Sequence, residues 1–152
     1  MSYTLNGETL VKVYIGRYPK DHTKERKVRV EINDYDTWSL DSTLAHIIWP
    51  ALEKYLEVSK GIIVMDEPRE EYGGKSFEES ITELIWVFKE IATSAEYQRI
   101  IDEHYTEKDI NGADVTGWFK DADAMHAKHE VLETRIQNGS ELFGKIYRHL
   151  WN

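Results

Sequence analysis

The pattern of apolar and polar positions begins with two short β-type segments. Residues 10–15 and residues 27–32 are rich in β-branched side chains, and the second segment alternates between apolar and charged positions. The apolar side chains of the second segment fall on one strand face: Val28, Val30 and Ile32. The polar residues 17–26 between the segments predict an exposed loop. The pattern therefore predicts an N-terminal β-hairpin, which is marginally stable alone and needs helices or a further strand beside it.

Helical periodicity follows the hairpin. Apolar side chains recur every three or four positions over residues 40–55, the spacing of one face of an α-helix, and Ser39 stands where a capping residue is expected. We therefore expect a helix that begins near Ser39 and ends near residues 60–61. Because Pro50 lacks a backbone donor, it predicts a kink. The apolar stripe keeps its phase across Pro50, which favours one kinked helix over two helices.

A second helix is predicted from about Ser76 to Thr93. Ser76 and Glu79 have the spacing of a capping box, in which each residue binds a free backbone amide of the other. The preceding residues 62–75 combine an apolar tetrad with acids, Pro68 and two glycines. We interpret them as a loop, with a short strand possible over residues 62–65.

The C-terminal part predicts two more helices, a short one over residues 95–105 and a long one over about residues 121–150. Gly139 and Gly144 would allow a close helix crossing within the long helix. Residues 109–114 have the composition of a turn. The expected fold is α+β: an N-terminal β-hairpin packed on a bundle of three to four helices, with a kinked first helix and a long C-terminal helix. We expect one globular domain spanning residues 1–152.

Composition narrows the functional classes. The 28 acidic residues against 19 Lys and Arg give a net charge of −9, which disfavours nucleic-acid binding because that binding depends on cations that meet phosphates. The chain has no cysteine, no long apolar run and no signal-peptide pattern near its start, so we expect a cytoplasmic protein with no membrane partner. Aromatic residues make up 12% of the chain, which indicates either binding and oligomerisation or a small core of large side chains.

The corner over residues 34–41 concentrates acids and aromatics between the hairpin and the first helix. The candidate ligand-binding residues are Arg29, Tyr35, Asp36, Trp38 and Asp41. The two aromatics would stack on a flat ligand, the two acids would accept hydrogen bonds from hydroxyls or order the helix start, and the arginine would meet a phosphate. The alternative is structural: acids and Ser39 satisfy turn and cap amides while the tryptophan covers the hairpin.

Two tryptophans lie away from the apolar faces of their helices. Trp49 is off the stripe of the first helix, and Trp86 is nearly opposite the stripe of the second. A large aromatic on an outer face needs a second layer, another subunit or a ligand to cover it. We therefore expect Trp49 and Trp86 to form an oligomer or partner interface, with helices packed on both sides of the monomer as the alternative.

Catalytic and metal chemistry has weaker support. Asp123, His126 and Glu130 share one sector of the last helix and could in principle bind a divalent metal, but that sector faces away from the apolar stripe. No nucleophile motif is present, and the sequence at Gly73, Gly74 and Lys75 lacks the rest of a phosphate-binding loop. We assign no metal and no cofactor, and expect a non-enzymatic protein.

Three blocks resemble a family of small proteins encoded by tailed bacteriophages. Residues 35–52 match the pattern YDTWS-x-D-x-TLA-x-II-x-P-x-L, and similar blocks lie at residues 83–88 and 139–151. This resemblance covers about half of the chain in the same order and implies an origin rather than an activity. It implies a phage accessory protein that acts in the cytoplasm of an infected bacterial host.

These observations favour a protein that binds and sequesters a small nucleotide-derived host immune signal, acting as a homo-oligomeric anti-defence protein. The missing catalytic set and the aromatic surplus are the reasons. One alternative is an acidic phage protein that binds and inhibits a host protein. Another is a metal-dependent hydrolase of a nucleotide signal.

Overall fold

The computed structural model describes residues 11–59, 67–104 and 122–151. The chain divides into two compact units, residues 1–43 and residues 44–152, and each is treated separately below. The single-domain assignment stays a prediction. The strand suggested near residues 62–65 and the turn at 109–114 lie outside the described residues.

The first unit contains the predicted hairpin. Strand β1 spans Lys12–Ile15 and strand β2 spans Val28–Glu31, and the two strands are antiparallel with Val13 opposite Val30. Because alternate residues share a face, the four aliphatic residues of the strands lie on one side of this sheet. All four are exposed: Val13 42%, Ile15 55%, Val28 58% and Val30 53%.

A 3-10 turn over Asp34–Thr37 leads into helix α1, Leu40–Ser59. The helix begins one residue after Ser39, close to its predicted start. It is continuous through Pro50, so the prediction of one helix rather than two is confirmed, and the kink itself stays a prediction. The carbonyl of Ser39 accepts the Thr43 amide at 3.0 Å, which closes the first turn of the helix.

Helix α2 spans Phe77–Thr93 and begins as its sequence predicts. The Ser76 hydroxyl accepts the Glu79 amide at 3.1 Å, and the Glu79 carboxylate accepts the Ser76 amide at 2.8 Å. The predicted capping box is therefore confirmed. Just before α2, the loop contains a 3-10 turn over Glu70–Tyr72, which Gly73 ends with a positive φ of 66° that an L residue adopts only with strain.

Helix α3, Ala95–His104, follows α2 after the single residue Ser94, which has a left-handed φ of 53°. The buried carboxylate of Glu90 makes this sharp connection possible. It accepts the amides of Glu96 and Tyr97, each at 2.9 Å, and so satisfies two donors that the start of a helix leaves without partners.

Helix α4 spans Ala122–Ile146 and ends in a 3-10 turn over Tyr147–His149. A Cβ atom on Gly139 would lie 2.6 Å from Val87 on α2, so the predicted close crossing at Gly139 is confirmed. At Gly144 no such crossing is found among the described residues, because a Cβ atom there would meet none of their atoms within 4 Å.

Two apolar clusters form the core of the second unit. The larger joins α1, α2 and the C-terminal part of α4 through eight buried residues: Ala45, Leu52, Tyr72, Ile81, Leu84, Phe88, Leu142 and Ile146. The smaller joins α3 and the N-terminal part of α4 through three others: Ile100, Met125 and Leu132. The described part of the chain thus has four helices and a two-stranded N-terminal hairpin, which confirms the α+β class. None of these helices has the length and apolar character needed to cross a membrane.

Candidate functional site

The corner over residues 34–41 is first of all an ordered turn. The side chain of Asn33 accepts the Tyr35 amide at 3.0 Å, and the Thr37 hydroxyl donates to the carbonyl of Asp34 at 2.6 Å. The Thr43 hydroxyl donates to the Asp36 carbonyl at 2.9 Å and ties the turn to the first turn of α1. Asn33, rather than the acids considered in the structural alternative, therefore supplies the side-chain cap of this turn.

The predicted ligand residues of the corner remain accessible in part. The rings of Tyr35 and Trp38 are 5.2 Å apart and inclined by 51°, and Trp38 is 76% exposed. One carboxylate oxygen of Asp36, Oδ2, is buried without a hydrogen-bond partner among the described residues. Asp41 is exposed in the first turn of α1. The turn therefore offers an aromatic surface and the exposed carboxylate of Asp41 to a ligand that carries hydroxyl groups.

Arg29, the cation assigned to this corner, already has a partner. Its Nε donates to Glu31 Oε1 at 2.6 Å, within the same strand. Both side chains are exposed, so the pair is screened by solvent and contributes little to stability. A phosphate at this position would have to compete with Glu31 and would meet the acids of the corner.

The two tryptophans assigned to an interface are partly buried within their own chain. Trp49 packs against the larger core cluster, and the Lys89 ammonium lies 5.4 Å from the centre of its ring. Trp86 packs against the smaller cluster of α3 and α4. Helices on both sides of α2 therefore account for the outer position of Trp86, which was the alternative to an interface. The interface itself stays a prediction.

An open groove of about 400 Å³ lies between α3 and α4, with one wall from α2. We call it the α3–α4 groove. Its lining consists of nine residues: Trp86, Glu96, Arg99, Ile100, Ala127, Lys128, Val131, Leu132 and Arg135. Three of these are cations and one is an acid, whereas the whole chain carries a charge of −9. Each of these cations also pairs with a glutamate of α2 or α3. The groove thus combines an apolar floor with three cations whose charge is balanced by paired glutamates.

Arg135 forms one end of the groove together with Trp86. Its guanidinium carbon lies 3.4 Å from the centre of the Trp86 ring. The same guanidinium donates to both oxygens of Glu83, at 2.7 and 2.9 Å. The hydrogen bond to Glu83 raises the pKa of Arg135. Arg135 is therefore held over the indole ring by a bidentate pair and keeps its charge.

Arg99 and Lys128 also line the groove, and Glu103 connects the two, while Glu96 pairs with Arg99. Arg99 donates to Glu96 at 2.6 and 2.9 Å and also pairs with Glu103, which accepts from Lys128 at 2.9 Å. The hydrogen bond from Lys128, assisted by the charge of Arg99, lowers the pKa of Glu103. The hydrogen bond from Arg99 likewise lowers the pKa of Glu96. Glu103 therefore joins α3 to α4 as an anion at neutral pH.

The metal alternative is not supported by the described geometry. Asp123, His126 and Glu130 are all exposed on α4. Within residues 11–59, 67–104 and 122–151, no group of three His, Asp or Glu side chains is arranged to hold a metal ion. The helical spacing placed these three residues in one sector, but one sector of an exposed helix does not enclose an ion.

Sequence reasoning missed the cations of the α3–α4 groove. Lys128, Val131, Leu132 and Arg135 recur at the spacing of one helix face, so a mixed cationic and apolar stripe was visible in the sequence. The contact of Arg135 with Glu83 spans 52 positions, and no local pattern predicts it.

No protein-family model, no curated protein and no solved structure matches this chain.

Proposed function

We propose that this protein binds and sequesters a small nucleotide-derived anion without cleaving it, and that the ligand occupies the α3–α4 groove. The observation that carries the proposal is the combination, in one groove, of an indole surface with three cations. In keeping with the resemblance to tailed-bacteriophage proteins, we propose that the ligand is a host immune signal and that the protein acts in the cytoplasm of an infected bacterium.

The electrostatic argument favours the groove over the corner. A phosphate needs cations within a few ångströms, and the groove lining has three cations against one acid. The corner has three acids within residues 34–41 and one assigned cation, Arg29, which is paired with Glu31 as the groove cations are paired with glutamates. The groove therefore places three cations around a ligand, whereas the corner places one cation beside three acids.

The three groove cations can exchange their glutamate partners for a phosphate of the ligand, because their side chains are accessible. Their side chains are about half exposed, at 52% for Arg99, 49% for Lys128 and 44% for Arg135. Exposed ion pairs contribute little, so exchanging a glutamate for a phosphate costs little. The bound phosphate then gains charge-assisted hydrogen bonds from these side chains.

The size and floor of the groove indicate the class of ligand. A volume of about 400 Å³ is at the lower end of ordinary small-molecule sites, which favours a ligand of mononucleotide size. The floor includes Trp86 and the buried residues Ile100 and Leu132, which suits the face of a base. Arg135 can stack on a base as it does on the indole.

The groove is poor in groups that would catalyse cleavage. Glu96 is the single carboxylate of its lining, and both of its oxygens accept hydrogen bonds from Arg99. A carboxylate held in this way has a lowered pKa and is a weak general base. These observations support binding rather than turnover.

Calorimetric titration against a panel of cyclic nucleotides, mononucleotides and ADP-ribose derivatives tests the proposal. We expect at least one compound to bind more tightly than about 10 μM, a free energy of about 7 kcal/mol, and to be recovered intact after incubation. If every compound binds more weakly, the proposed function is wrong. Cleavage of the ligand that stops on addition of a chelator would favour a metal-dependent hydrolase instead.

Three variants locate the site. Lys128→Glu reverses a groove cation and should weaken binding at least about tenfold. Lys54→Glu is its matched control, because Lys54 also pairs with a glutamate at a similar distance, 3.0 Å from Glu57, but lies on α1. Trp38→Ala tests the corner. If Trp38→Ala abolishes binding and Lys128→Glu does not, the ligand binds at the corner and the groove assignment is wrong.

A further inference from the structure

The outer edge of β2 is unpaired in the sheet that the structure describes, since β2 there has β1 as its single neighbour. The backbone pattern shows which groups point to this edge. The Gly16 amide donates to the Lys27 carbonyl at 2.8 Å, so Lys27 turns its hydrogen-bonding groups toward β1. Because antiparallel strands alternate, Arg29 and Glu31 do the same, and Val28 and Val30 turn theirs outward.

The side chains of β2 are self-complementary about Val30. If a second β2 strand runs antiparallel beside the first with Val30 opposite the partner's Val30, Arg29 faces the partner's Glu31, and Val28 faces the partner's Ile32. The two charge pairs and the two aliphatic pairs are then related by a two-fold axis. This register also places outward-pointing backbone groups opposite each other, so the ladder can continue across the axis.

Each neighbouring register places one pair of like charges opposite each other. A shift by two positions in one direction places Glu31 opposite the partner's Glu31. A shift in the other direction places Arg29 opposite the partner's Arg29, and it also places Lys27 opposite the partner's Glu31. Like charges directly opposite each other are destabilising. A shift by one position would bring each outward-pointing residue opposite an inward-pointing one and would move the aliphatic side chains to the other face. The edge of β1 has no comparable match, because Lys12 is the one charged residue of that strand.

The exposed aliphatic face indicates why the hairpin needs a partner. A two-stranded hairpin is marginal in water, whereas four strands with a shared apolar face are not. Val28 and Val30 are 58% and 53% exposed, and pairing would place them beside aliphatic side chains of the second copy. From this complementarity and exposure we propose that the chain forms a homodimer. Strand β2 pairs antiparallel with β2 of the partner subunit, and Arg29 lies opposite the partner's Glu31.

Oligomeric state measured on the full chain by light scattering and sedimentation equilibrium tests this dimer. We expect a species of twice the 17.8 kDa chain mass. Arg29→Glu and Glu31→Arg should each raise the dissociation constant at least about tenfold, because each brings like charges opposite each other. The double variant Arg29→Glu/Glu31→Arg should dimerise like the natural chain, since the exchange restores both pairs.

An equal mixture of the two single variants is the decisive measurement. One chain then has Arg at positions 29 and 31, the other has Glu at both, and the heterodimer again has two opposite-charge pairs. Recovery of the dimer in the mixture confirms the register and shows that the variants are folded. The proposal is overturned if the natural chain remains monomeric up to about 1 mM, if the single variants dimerise unchanged, or if the mixture stays monomeric.

Discussion

Gly139 of α4 lies so close to Val87 of α2 that no other residue fits at this crossing without movement. A Cβ atom on Gly139 would be 2.6 and 2.8 Å from the two methyl carbons of Val87. Val87 itself is fully buried, with 0% of its surface exposed. The pair therefore sets the separation of α2 and α4, and both of these helices line the α3–α4 groove.

We expect Gly139→Ala to lower the free energy of unfolding by about 1–3 kcal/mol, the usual range for overpacking a close contact. The better helix propensity of alanine offsets part of this cost. Gly144→Ala in the same helix is the matched control. It should raise stability by up to about 1 kcal/mol, because a Cβ atom there meets no atom of residues 11–59, 67–104 or 122–151 within 4 Å. Urea unfolding followed by circular dichroism measures both.

A double variant separates the contact from other effects of Gly139→Ala. Val87→Ala leaves a small cavity, which the new methyl group at position 139 can partly fill. The two substitutions should therefore cost less together than the sum of their separate costs, with a coupling of about 0.5–3 kcal/mol. Additive costs would mean that α2 and α4 do not meet at these two residues.

The buried carboxylate of Glu90 should be the main support of the α2–α3 connection. Glu90→Ala would leave the amides of Glu96 and Tyr97 without their acceptor, and we expect a loss of about 1.5–3 kcal/mol. Glu90→Gln keeps one acceptor oxygen and should cost less. Glu133→Ala, at an exposed site of α4, should stay within about 0.5 kcal/mol. Faster hydrogen exchange at the Glu96 and Tyr97 amides in Glu90→Ala is the local readout, and unchanged exchange would contradict this role.

The features that the sequence predicted well are local ones. The capping box of Ser76 and Glu79 involves neighbours three positions apart, so its residue types alone determine it. Gly139 was identified as a helix crossing, but Gly144 has the same composition signal and no contact, because only the partner helix distinguishes them. The sequence could not show that α3 and α4 cover Trp86. That coverage depends on contacts between segments far apart in the chain.

The α3–α4 groove was not predicted, for the same reason, and the corner stays a prediction. The corner was chosen because its composition of acids and aromatics is unusual, and composition can be read directly from a sequence. The cations of the α3–α4 groove look ordinary until the helices are placed, since Arg135 meets Glu83 across 52 positions. Charge along the chain therefore indicated an acidic protein, and the placement of the helices is what brings these three cations into one groove.

Two adjacent residues of α4 test whether burial in the smaller core cluster stabilises the fold. Leu132 is 5% exposed and Val131 is 71% exposed. Leu132→Ala should lower the free energy of unfolding by about 2–5 kcal/mol, because it removes buried carbon atoms and leaves a cavity. Val131→Ala should stay near about 0.5 kcal/mol. Similar costs for the two variants, measured by denaturant unfolding, would mean that α4 does not bury this face.

The link between α3 and α4 through Glu103 should depend on pH. The hydrogen bond from Lys128 and the charge of Arg99 lower the pKa of Glu103 below its ordinary value of 4.5. A carboxyl group with a lowered pKa in the folded state stabilises the fold at all pH values above its ordinary pKa, and this stabilisation is lost as the pH falls through the lowered value.

We therefore expect the difference in stability between the natural chain and Glu103→Gln to be constant from pH 7 down to about 4.5 and then to decrease toward pH 3. Because the pair is exposed, salt should reduce the difference. In a Lys128→Met background the pH dependence should shrink, since the first cause of the lowered pKa is removed. A difference that grows on acidification would have the wrong sign for a paired carboxylate, and it would show that Glu103 does not bridge the two helices in solution.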